Sequence, residues 1–400
     1  MKELDLQRNA NNLKDMMTSQ PKLRPARDPL PDLIRVWALV GIALINVGIF
    51  ASPSRESLLD QAAIGVVNTL FLSKSYVLFS IIFGASFAYQ LEAAARARQP
   101  LSPRHFRRLT ALFAIGAAHA VFLFSGDILM LYAVAGVLLF SVRRAPSSFL
   151  LSLGIACILA QLAVYLAYAG GTFAIQSDPV RLADYLERLE HQNTQTLDIF
   201  TQGTFWQLAE FRFAQLPKTI AYIPAQMLNV FGCFLIGLYL AREGYLANPA
   251  ARLWRRSRQI ALPVGLAGSA SATLLFYKAA FAQSGMDWLA TTLYTLFAPL
   301  TALGFAGLIA WYAATPITQF RSFISRAGCA SLSVYILQSI AFSLIFSGYG
   351  LGQFGALNTS QTLLTGLGVG IASIILVGLW RGKFDNGPLE IMLRRWTYWQ

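Results

Sequence analysis

Residues 116–134 read GAAHAVFLFSGDILMLYAV. Two apolar runs flank the Ser125-Gly126 turn, and each carries one ionisable side chain, His119 before it and Asp127 after it. The stretch reads as a tight hairpin between two membrane spans. Ionisable groups are expensive in hydrocarbon and mark function when they persist there.

Composition supports that setting. The 400-residue chain is 56% hydrophobic and 13% charged, against about 25% charged in soluble domains. This predicts an all-α polytopic transmembrane helix bundle. The net charge of +13 comes from Lys and Arg residues in short clusters between apolar runs. That is how cytoplasmic loops look, so no nucleic-acid partner is expected. Cys157, Cys233 and Cys329 lie inside apolar runs and suit neither a disulfide framework nor a metal site. Residues 1–29 are polar and basic without an apolar core, and read as a flexible cytoplasmic tail rather than a cleavable signal.

A spanning helix needs about 20 mostly apolar residues. Ten runs qualify: about 33–51, 75–95, 107–125, 127–143, 147–169, 219–241, 259–281, 286–312, 329–348 and 361–380. The shorter AAIGVVNTLFL (62–72) reads as a half-helix or interfacial helix. Every second loop is basic, whereas 283–286 and 348–360 have no Lys or Arg. By the positive-inside rule both termini are cytoplasmic. Residues 30–400 form one helical domain. Its long outer loop, 170–218, predicts two surface helices: one from Asp178-Pro179, one over 205–216.

Asp127 has two readings, a helix cap or a partner for His119. His119 is either a neutral core histidine or a general base suited to neutral pH. His105 and His191 read as solvated surface residues. Asp32 and Arg35, three apart, share a helix face and can pair, or act as a cap and a snorkelling arginine. Asn46 lies about 21 Å above Asp32 on the same helix, near the depth of His119. Lys74 reads as an interfacial anchor. Gln226, Asn229 and Gln338 suit interhelical hydrogen bonding.

Seven stretches occur in the order of one bacterial family: DLIRVWALVGIALINVGIF (32–50), LSKSYVLFSIIFGASFA (72–88), RRLTALFAIGAAHAVFLFSGDILMLYAVAG (107–136), NVFGCFLIGLYLAREG (229–244), RAGCASLSVYILQS (326–339), YGLGQFG (349–355) and GPLEIMLRRWTYW (387–399). From about residue 30 onward the chain resembles the domain-of-unknown-function-418 family, also called YeiB-like. Asp32, Arg35, Asn46, Lys74, His119, Asp127, Tyr335, Gln338 and Ser339 match its pattern. Val36 stands where the family has glycine, and Val334 where it often has asparagine.

The family is similar to a wider group of integral-membrane acyltransferases. The resemblance implies transfer of an acyl group, most simply acetyl, from cytoplasmic acyl-CoA to an extracytoplasmic or membrane-bound acceptor such as a sugar. His119 would be the base, Asp127 its orienting partner, and Asn46 and Gln338 amide donors. Candidate contacts to the acyl-CoA co-substrate are Arg35, Lys74, Arg104, Arg107 and Arg108, although topology alone accounts for loop arginines. No metal is implied. The expected setting is the bacterial cytoplasmic (inner) membrane, with membrane lipid around the chain and a homo-oligomer left open. The rival reading is a proton-coupled transporter or permease of a small molecule.

Overall fold

The structure, a computed structural model, describes residues 29–54 and 57–398, the side chains of Lys218 and Tyr222 excepted. The tail read at 1–29 lies, but for Pro29, outside the described residues. Among the described residues every regular element is helical, and the β pairing is one isolated bridge between Ser54 and Asn358.

The helices are α1 (Pro29–Ala51), α2 (Leu58–Leu70), α3 (Lys74–Arg96), α4 (Ser102–Phe122), α5 (Leu129–Ser141), α6 (Ser147–Gln176), α7 (Pro179–Gln202), α8 (Phe205–Arg242), α9 (Arg252–Phe276), α10 (Gly285–Ala313), α11 (Gln319–Cys329), α12 (Ser331–Phe346), α13 (Thr359–Lys383) and α14 (Pro388–Thr397). Among the described residues, seven segments are long and apolar enough to cross a membrane, or eight if the pair α11–α12, bent by 79°, is one span. The chain is a multi-pass membrane protein. Of the ten expected spans, α5 has 13 residues and falls short by length. α4 begins in a basic segment and has a mean hydropathy too low to qualify.

Backbone polar groups in hydrocarbon must be satisfied within the helix, and helices approach closely only over small residues. That explains the core crossing. A Cβ on Gly84 of α3 would lie 2.2 Å from Phe234 O, and one on Gly237 of α8 would lie 1.9 Å from Ile81 O. The two glycines let α3 and α8 pack backbone to backbone beside α5, α6 and α1. Gly328 does the same at the α11–α12 break, where a Cβ would meet Asp32 O at 2.1 Å.

The loop at 170–218 folds differently from the expectation in one respect. α7 forms where Asp178-Pro179 predicted it, with Asp178 Oδ1 accepting from Val180 N at 3.0 Å. Residues 205–216 are not a separate surface helix. They are the first turns of the 38-residue α8, which starts at a Thr204–Gln207 capping box and continues through Pro217 and Pro224. α7 docks through Phe200, whose carbonyl accepts from Gly348 N at 2.8 Å and whose ring stacks on Phe354.

Candidate functional site

The Ser125-Gly126 turn brings the last turn of α4 against the start of α5. His119 Nδ1 lies 2.8 Å from Asp127 Oδ1, and Asp127 Oδ2 accepts the Met130 backbone N–H at 2.9 Å. Asp127 therefore fills both roles read from the sequence, helix cap and histidine partner. The two side chains are 1% and 0% exposed. A carboxylate accepts, so in the neutral imidazole the hydrogen sits on Nδ1 and the lone pair on Nε2. Nε2 is buried without a hydrogen-bond partner among the described residues.

Beside this pair runs a cavity of about 980 Å³. On α1 its lining extends from Pro31 and Arg35 to Asn46 and Ile49, which at 1.5 Å per residue is about 27 Å. On α3 it extends from Ser75 to Arg96. That is close to the roughly 30 Å hydrocarbon thickness. One end, here the basic end, holds Arg35, Arg96, Arg108 and Glu390; the other holds Asn46, Ser73, Gly126 and Thr291.

Arg35 is fixed at the basic end by an ion pair with Asp32 and a hydrogen bond to Ser86 Oγ of 2.7 Å. The other Asp32 oxygen accepts from Cys329 Sγ at 3.0 Å. The predicted Asp32–Arg35 pairing is thus present and tied to the helix break. Arg108 also lines the cavity, its guanidinium over the Phe83 ring.

Other sequence candidates lie elsewhere. Arg104 packs over the Tyr398 ring, and Arg107 is exposed; neither lines the cavity. Lys74 is fully buried at the far end of α3, with Nζ donating to Asn68 O at 2.9 Å and standing over the Tyr294 ring. It lies a whole helix length from Arg96 and does not share a site with Arg35 and Arg108. Gln338 is buried off the cavity, its Nε2 donating to Leu39 O at 3.4 Å. His119 does not line the cavity either; its neighbours Gly126, Ile128, Leu129 and Tyr335 do. His105 corrects the surface reading. It is 3% exposed, sandwiched between Phe87 and Phe140, with Nε2 at 3.2 Å from Gly136 O.

Sequence reasoning gave no role to Glu390 or Tyr335. Glu390 Oε1 accepts the N–H groups of Leu332 and Ser333 at 2.9 and 3.2 Å, and Oε2 accepts from Ser333 Oγ. The last helix thereby caps the first turn of α12, where a carboxylate is favourable. The Pro388–Glu390 run is a helix-start signal, but its reach across 58 residues has no local signature. Tyr335 places its ring 5.0 Å from that of His119.

Residues 240–400 match the family model described as protein of unknown function, DUF418. The chain is 25% identical over 411 residues to "Uncharacterized protein YxaH" of Bacillus subtilis (strain 168), covering 96% of this chain and 98% of that one. It is 26% identical over 390 residues to "Uncharacterized protein YeiB" of Escherichia coli (strain K12), covering 92% and 95%. These matches support a DUF418, YeiB-like kinship. No solved structure matches.

Proposed function

We propose that this multi-pass membrane protein is an acyltransferase, moving an acyl group, most simply acetyl, from cytoplasmic acyl-CoA to a hydroxyl acceptor on the other side. The observation that carries the reading is the cavity. It runs the depth of the bundle from Arg35 and Arg108 to Asn46, with the His119–Asp127 pair against its wall. Ten spans follow from adding the bent pair and the shorter α4 and α5 to the seven long apolar segments. With the basic end in the cytoplasm, both termini are inside.

CoA phosphates are suited to Arg35 and Arg108, since guanidinium groups make charge-assisted bonds to phosphate. The pantetheine arm then lies along the channel. At the far end His119 Nε2 takes the acceptor hydroxyl proton. The acceptor oxygen bonds the thioester carbon, the C–S bond breaks, and the imidazolium returns the proton to the departing thiolate. Asp127 holds the imidazole with Nε2 free. Asn46 supplies an amide donor for the oxyanion. Gln338 is left as a tie between α1 and α12.

One observation favours the rival reading. A cavity lined along the full depth, with its histidine behind the wall, also suits proton-coupled transport. Acetyl-CoA titration of the purified protein in nanodiscs separates the two. Saturable binding supports acyl transfer, and its absence removes the class. Solute uptake by proteoliposomes without acyl-CoA supports transport.

A further inference from the structure

A base that is to act on the contents of the cavity needs access to it, and His119 has none in this conformation. It is 2% exposed and its Nε2 is unpartnered. A buried polar atom in that state is destabilising until a partner reaches it. The ring against the imidazole on the cavity side is Tyr335, 5.0 Å away at an interplanar angle of 53° and itself part of the cavity wall. Phe124 packs on the imidazole at 6.1 Å, stacked in turn on Phe50. Gly126 and Ile128, on either side of Asp127, also line the cavity.

Tyr335 is also well placed to move. It lies in the second turn of α12, just beyond Ala330, where the backbone leaves helical geometry (φ −112°, ψ 42°) and the chain bends by 79°. A tyrosine swings between discrete rotamers, so such a ring is either over the imidazole or off it.

We propose that Tyr335 is the gate between the cavity and the His119–Asp127 pair, and that its ring must swing aside before a cavity occupant meets Nε2. The inference rests on the acyl-transfer reading for the identity of that occupant, a hydroxyl-bearing acceptor. The gate itself is a property of the wall. Tyr335 is a positioning residue here: it controls access and takes no part in the bond changes.

Diethyl pyrocarbonate, which carbethoxylates accessible imidazole nitrogen, tests this on the full chain in nanodiscs. His191, exposed on α7, and His105, buried at the basic end, are internal references resolved by peptide mass spectrometry. An open state populated at about 0.1–10% slows modification at least tenfold, so wild-type His119 should react at least tenfold more slowly than His191. Tyr335→Ala and Tyr335→Leu should each accelerate His119 about tenfold with His105 unchanged, and Tyr335→Phe, which keeps the ring but loses the hydroxyl's contact with the Ile128 backbone, should accelerate it less than either. The Leu variant carries the test if the Ala variant does not fold. The gate is overturned if wild-type His119 reacts as fast as His191, if the small variants leave it at the wild-type rate, or if His105 accelerates with it. No acyl-CoA is used, so failure here is distinct from failure to bind acyl-CoA.

Discussion

Asp127 joins His119 to the start of α5: one oxygen faces Nδ1 at 2.8 Å and the other holds the Met130 N–H at 2.9 Å. Removing the carboxylate strands the buried His119 Nδ1–H and the half-buried Met130 N–H. Each stranded group costs about 1–3 kcal/mol. Asp127→Ala should therefore lower unfolding stability in detergent by that amount or more, and Asp127→Asn by less, because its amide oxygen can still accept one donor. A wild-type midpoint for Asp127→Ala would show that the pairing contributes nothing.

The α3–α8 crossing makes a second prediction. Gly84→Ala or Gly237→Ala drives a methyl into a backbone carbonyl of the facing helix. Overpacking of this kind costs about 1–3 kcal/mol. Gly368, on α13 with nothing within 4 Å of its Cβ position, is the control. Gly368→Ala should leave thermal stability unchanged or raise it slightly. Equal melting of all three variants would remove the close-approach account.

Glu390 predicts where the basic end loosens first. Glu390→Gln keeps the shape but loses the charge that faces the α12 N-terminus. A cap of this type contributes about 0.5–2 kcal/mol. Hydrogen exchange should quicken at Leu332 and Ser333, whose N–H groups it holds, and along α14. It should be unchanged at α10. Unaltered exchange at Leu332 and Ser333 would mean that the cap does not hold the break.

Much of this was legible in the sequence, and the losses have physical reasons. The hairpin was readable because His119 and Asp127 stand eight positions apart across a turn too short to do anything but bring them together. Asp32 and Arg35 were readable because three residues is nearly one helical turn. The amphipathic run 205–216 suggests a separate surface helix, yet it is the first part of a helix that runs on through Pro217 and Pro224. In a bundle, neighbouring helices tolerate such prolines and the helix runs on. The arginines beside His105 suggest a solvated ring, yet the helix turns it onto Phe87 and Phe140. Gln338, Glu390 and Tyr335 depend on contacts made by distant segments, which no local pattern records.

The arginines divide by position. Arg108 faces the cavity, whereas Arg255 is exposed at the basic end and outside it. Hydrogen bonds to charged groups contribute about 1.5–3 kcal/mol, so Arg108→Ala should weaken CoA binding at least tenfold, an interval of about 1.4 kcal/mol. Arg255→Ala should leave it unchanged. Calorimetric titration with CoA reads both, and equal losses would indicate general charge attraction instead of a site.

On the proposed acyl-transfer reading, His119 takes the acceptor proton. The direct measurement supplies isotopically acetyl-labelled acetyl-CoA to membranes containing the wild-type chain or His119→Ala at equal abundance, and follows label into the acceptor fraction. Labelled acceptor is expected from the wild type and a loss of at least about a hundredfold in the variant, the usual contribution of a general base. Equal labelled product from both would contradict it.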